Sequence, residues 1–190
     1  MDLRAGLSLA ARGLLFVMIN LFCTLNGKLI NLFPNFIGWV LLFLAYDSFG
    51  VFTKGRKYLE WLPFLLAAAT LFDWIANFFA VELLWLTVAC GVLTLFYGHK
   101  LFCILRAVAQ AHRSALERRI LFLHVLQLSL YAALFVLSIL YYKLPELENA
   151  LKIPVIVLFF ADLLTAVFTC MTIFKLRKEI PITPGNAEKS

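Results

Sequence analysis

The chain has 190 residues, 63% of them hydrophobic and only 15% charged, with a net charge of +6 and a mean hydropathy of +0.92. Soluble domains run at about 45–50% apolar and about 25% charged, so a water-soluble core is excluded and an all-α polytopic membrane protein is expected. Short alternating segments, the mark of an outer-membrane barrel, are absent, and the basic excess reads as membrane topology rather than nucleic-acid binding.

A spanning helix needs roughly 20 mostly apolar residues, and six stretches qualify. They are predicted over 9–25, 36–52, 61–79, 82–98, 120–142 and 153–174. The first follows Arg4 and Arg12 but carries no small-x-small cleavage site, so it reads as a mature helix rather than a signal peptide. The third and fourth come from one long run, divided at Ala80-Val81-Glu82, where Glu82 reaches the headgroup layer.

Charge tests the division. With six spans and both termini inside, Arg4, Arg12, Lys54, Arg56, Lys57 and the basic residues of 100–119 and 175–189 are cytoplasmic. Lys28, Lys143 and Lys152 alone fall outside, the split that the positive-inside rule demands. Trp39, Trp85, Tyr141 and Tyr142 are expected at the outer interface, and Tyr58, Trp61 and Tyr97 at the inner one.

Between the first two spans, the stretch NLFPNFIGWV begins at Asn31. Pro34 suits the first turn of a helix, where its missing N–H is no loss. Asn31 or Asn35 is expected to cap that helix, and Gly38 to let another backbone approach closely. These four residues form a candidate outer gate.

In the third span, Asp73 sits a few residues outward of the middle, with Asn77 one turn on. Asp162 sits near the middle of the sixth, with Thr165 beside it. An ionised carboxylate at that depth costs about 2.5–3.5 kcal/mol even on lenient scales, and no Lys or Arg lies at the same level. A polar seam joining spans one, three and six, with Asn20 contributing, is therefore expected. Asp73, Asp162, Asn77, Asn20 and Thr165 are the candidate solute- or ion-binding residues. Two deep acids after Pro63 and Pro154 also permit an inverted repeat of three spans on three.

Residues 101–119 place Leu101, Ile104, Leu105, Val108 and Ala115 on one helical face and Arg106, Gln110, Arg113 and Glu117 on the other. An amphipathic cytoplasmic helix is predicted there, lying on the bilayer or meeting a partner subunit through Arg106, Arg113, Arg118 and Arg119. The tail 179–190, with two prolines and a glycine, is expected to be disordered.

Catalytic motifs are missing: neither HExxH, GxSxG, a phosphate-binding loop nor GxGxxG is present, and His99, His112 and His124 offer at most a loose cluster. Cys23, Cys90, Cys103 and Cys170 lack metal-ligand spacing and read as small buried hydrophobes. No catalytic residue, metal or cofactor is assigned.

Asn31-Leu32-Phe33-Pro34-Asn35-Phe36-Ile37-Gly38-Trp39 resembles the N-x-x-P-[DN]-x-I-G-[YW] segment of small multi-pass membrane proteins of Gram-positive bacteria such as clostridia and bacilli. The likeness covers about residues 12–45. It implies a helical membrane fold in a bacterial cytoplasmic membrane and no substrate, since that family has no established activity. More broadly, length, span number and the basic inner face are similar to the substrate-binding subunits of energy-coupling-factor transporters. Capture or transport of a small solute or cation is the leading expectation. A non-catalytic membrane subunit is the alternative, and a lipid-modifying enzyme the third. The expected surroundings are the bilayer, and another subunit or a second copy of the chain stays open as a partner.

Overall fold

The computed structural model describes residues 2–18, 22–25, 28–31, 34–53, 58–79 and 83–181. In chain order these form α1 (Leu3–Met18), β1 (Phe22–Leu25), β2 (Lys28–Asn31), α2 (Asn35–Tyr46), α3 (Gly50–Thr53), α4 (Tyr58–Phe78), α5 (Leu84–Ala111), α6 (Glu117–Lys143) and α7 (Glu148–Glu179). Single 3-10 turns, Asp47–Phe49 and Pro145–Leu147, precede α3 and α7. The long apolar run after Trp61 is divided between α4 and α5, as the charge count required. The expected break at 80–82 and most of the tail lie outside the described residues.

Each long helix packs on the next, α1 on α2, α2 on α4, α4 on α5, α5 on α6 and α6 on α7. Helix α7 then returns to α1, and the six close into a ring. Consecutive helices run antiparallel. One end of the ring therefore gathers the β-hairpin, the end of α4 and the start of α5. The other gathers the start of α1, the α5–α6 turn and the end of α7.

Among the described residues, four helices hold segments long and apolar enough to cross a membrane, Leu59–Ala76, Trp85–Ala111, Glu117–Leu140 and Asn149–Glu179. Their outward faces expose Trp61, Phe64, Phe72, Phe122 and Val125, large side chains that a water-soluble surface does not gather in such number. Lipid is the solvent that suits them.

The first two helices differ from the expected runs in placement and continuity. The helix expected over 9–25 lies at Leu3–Met18, 16 residues, and the run expected over 36–52 is divided into Asn35–Tyr46, a 3-10 turn and Gly50–Thr53. What ends the first helix early is the hairpin, whose strands pair Phe22 with Asn31 and Leu25 with Lys28. The intervening sequence, Asn26-Gly27, is the dipeptide most favoured in two-residue hairpin turns. Arg12 consequently lies mid-helix and exposed rather than at a helix entry. Strand β2 rests against α4. The halves do not repeat in length either: α1 and α2 have 16 and 12 residues against 28 and 27 for α5 and α6.

Between α1 and α2 the backbones touch. A Cβ on Gly38 would stand 2.6 Å from the Gly13 carbonyl oxygen, and one on Gly13 would stand 2.8 Å from that of Gly38. Only glycine permits that crossing, as the small-residue rule for membrane helices anticipates.

The core fills the end away from the hairpin. Leu7 and Leu42, Leu59 and Leu66, Leu105 and Val108, and Leu176 come from five helices and are fully or almost fully buried. Leu101, Phe102, Ile104, Leu105, Val108 and Ala109 belong to this core, so 101–111 is not a separate surface helix. Segment 101–111 is the last part of α5, and the Leu101, Ile104, Leu105 and Val108 stripe packs on protein rather than lipid.

The turn after α5 has a defined geometry. Ser114 N–H donates to the Ala109 carbonyl at 2.9 Å, and Arg113 N–H donates to the Gln110 carbonyl at 3.0 Å. Arg113 has φ 51°. This is the paired C-terminal capping motif, with arginine in the left-handed position that usually holds glycine.

Candidate functional site

At the hairpin end the ring opens around a cavity of about 660 Å³. All six long helices line it: Val17 and Met18 of α1, Asn35 and Trp39 of α2, Thr70 and Asp73 of α4. Thr87, Cys90 and Gly91 follow from α5, Tyr131, Phe135 and Ser138 from α6, and Phe159, Phe160 and Asp162 from α7. The two deep acids expected to share a polar seam thus face one space from helices α4 and α7. Lys, Arg and His do not occur among its described lining residues.

Asp162 is 6% exposed, and its Oδ1 accepts a hydrogen bond from Gln127 Nε2 at 2.5 Å. Gln127, 4% exposed, was not singled out in the sequence. A lone amide in the middle of the fifth apolar run was the available signal. Its Nε2 also lies 3.9 Å from Met18 Sδ, tying α1 to α6. Its Oε1 is buried without a protein partner. A void of about 20 Å³ lies beside it, lined by Thr94, Tyr131, Thr169 and Phe102 among others, with room for one water.

Asp73 is partly buried and interacts within the protein. Asn77 belongs to α4, but its side chain lies outside the described set, as does Asn20 altogether. Thr165 lies apart from these residues. Its hydroxyl donates to the Ala161 carbonyl of its own helix at 2.8 Å, and it lines a separate groove with Arg119, Phe122 and Phe168. A buried hydroxyl takes the nearest carbonyl one turn back, so three residues' spacing from Asp162 did not aim it at the same space.

The gate residues divide similarly. Pro34 is the N-cap of α2 rather than its first residue, with φ −65° and ψ 123°, and it makes no side-chain capping bond. Asn35, expected as a cap, lines the cavity with its Oδ1 buried and unpartnered by protein. Gly38 makes the α1–α2 crossing, and Asn31 ends β2. Two expected interfacial anchors are corrected. Trp39 and Tyr97, assigned to opposite interfaces, are both buried and meet edge to face, centroids 5.5 Å apart. Trp74 packs against Phe36 at 5.9 Å in the same manner.

Near the opposite end, Arg106 Nε donates to Glu117 Oε1 at 3.1 Å, with Gln110 donating to the same oxygen at 2.6 Å. Arg106 is thus engaged within the protein, bridging the α5–α6 turn, whereas Arg118 is exposed. His99 Nδ1 and His124 Nε2 are 3.1 Å apart, while His112 bonds the Val108 carbonyl instead. The loose histidine cluster is therefore a pair. Among the described residues, no three His, Cys, Asp or Glu side chains are grouped to hold a metal. Cys170 lies in the core and donates to the Ala11 carbonyl at 3.1 Å.

Comparison with family models, curated proteins and solved structures finds no match for this chain.

Proposed function

We propose that the protein crosses a membrane six times, with both termini on the cytoplasmic side, and captures a small solute or cation in the cavity shared by Asp73 and Asp162. The observation that carries this reading is the convergence of two carboxylates, from α4 and α7, on one large cavity. Intramembrane acids mark substrate and ion pathways by default. Orientation is supported by the basic residues around the α5–α6 turn and the end of α7, against Lys28, Lys143 and Lys152 at the hairpin end. The cavity then faces outward, with Asn35 at its lip. A bacterial cytoplasmic membrane is the home implied by the segment from Asn31 to Trp39.

Small-molecule mass spectrometry on protein purified in mild detergent tests the reading. A compound should co-purify with the wild type and be lost from Thr70→Trp, which fills the cavity while keeping both carboxylates. Equal small-molecule content in the two folded proteins would overturn it.

A further inference from the structure

We infer that the occupant of this cavity is an organic cation, an ammonium or its phosphonium analogue on a bulky apolar or aromatic body. The inference rests on the capture reading and narrows the occupant by charge, size and surface.

Charge comes first. Asp73 and Asp162 face the space and no described Lys, Arg or His does, so an anion meets two carboxylates in a region of low dielectric. A cation there offsets the cost of keeping a carboxylate ionised within the membrane. Size excludes a bare metal ion, which needs oxygen ligands at about 2.0–2.6 Å on all sides. A space of about 660 Å³ instead falls within the roughly 300–1,000 Å³ of sites for drug-sized molecules.

Surface separates an organic cation from a neutral polyol. Trp39, Tyr131, Phe135, Phe159 and Phe160 line the cavity, and aromatic faces attract both apolar groups and cations. Two of the hydroxyl protons nearby are already committed. Thr70 donates to the Leu66 carbonyl at 2.6 Å and Thr87 to the Leu83 carbonyl at 3.3 Å. Their oxygens therefore offer lone pairs to the cavity. Such lone pairs, with two carboxylates, give the cavity a negative potential that suits a cation.

The test uses the full chain in lipid nanodiscs and two probes of one shape and opposite charge, tetraphenylphosphonium and tetraphenylborate. Saturable binding of tetraphenylphosphonium is expected, displaced by tetrabutylammonium and not by sodium. Asp162→Asn and Asp73→Asn should each weaken it about tenfold or more, while Asp162→Glu retains it. Saturable binding of tetraphenylborate equal to that of tetraphenylphosphonium would overturn the inference. So would wild-type tetraphenylphosphonium affinity in both asparagine variants, their folding verified by size exclusion. A neutral or anionic compound that co-purifies with the wild type and is lost from Thr70→Trp, beside no phosphonium binding, overturns the cation class and leaves the capture reading standing. Absence of both overturns the two together.

Discussion

Helix α4 passes through two different environments within five turns. Leu59, Leu62 and Leu66 are buried in the core, whereas Thr70 and Asp73, farther along, face the cavity. Helix α5 shows the same contrast in reverse, with Thr87, Cys90 and Gly91 on the cavity and Leu101, Leu105 and Val108 in the core. Both ends of the ring are apolar enough for a membrane. What differs is the inward-facing chemistry: bulky aliphatic side chains packed together at one end, and aromatic rings, hydroxyls and two acids around an open space at the other. A close-packed interior tolerates few voids larger than a water, so an opening of this size marks the end where something other than the protein's own side chains belongs.

Truncating each end in turn should produce the largest effect. Leu105→Ala removes a side chain with no exposure at all and should cost about 2–5 kcal/mol in chemical unfolding followed in detergent micelles. Phe159→Ala, at the cavity, should cost less than half of that despite deleting more atoms; equal losses would erase the distinction between the ends. Second, Gly38→Ala drives a methyl against the Gly13 carbonyl and Val17. A penalty of about 1–3 kcal/mol is expected because backbone cannot give way. Thermal unfolding unchanged from wild type would mean that α1 and α2 do not cross there.

Gln127→Leu sharpens the boundary between the ends, since this amide joins Asp162 to the small void beneath the cavity. Loss of the donor should destabilise by about 1 kcal/mol, the removal of an unpartnered Oε1 partly offsetting the lost bond. Binding at Asp162 should suffer less than in Asp162→Asn, a ranking readable by titration of both variants. The smallest effect belongs far from the cavity. Arg113→Gly relieves a left-handed arginine and should stabilise by up to about 1 kcal/mol, with solute binding untouched. A destabilised variant would show that the Arg113 side chain contributes more at the turn than its backbone strain costs.

Much of the helical layout is legible in the chain because bilayer thickness dictates how long an apolar run must be. The division of the run after Trp61 followed from its length, Glu82 and the placement of basic residues. The hairpin was signalled by Asn26-Gly27, yet Phe22, Cys23 and Leu25 prolong the preceding apolar run, and hydrophobicity by itself does not distinguish strand from helix there. Amphipathicity correctly identified the buried stripe of 101–108 but not what covers it, since lipid and protein present equally apolar surfaces. The end of α5 lacked its usual glycine, and the Arg113 turn is visible only through its backbone hydrogen bonds.

The same reasoning applies to the site. That Asp73 and Asp162 are anomalous is a property of the sequence, because any carboxylate inside an apolar run is costly wherever the run ends up. That they line one cavity, that Gln127 rather than Thr165 serves Asp162, and that Trp39 meets Tyr97 were decided by the closing of the six-helix ring. Those contacts join distant segments through packing angles and the glycine-limited approach of α1 to α2, which residue spacing along one helix does not encode. The sequence by itself determined the membrane class, the principal helical runs and the presence of two deep acids; tertiary structure alone decided that these acids share a space large enough to hold a molecule.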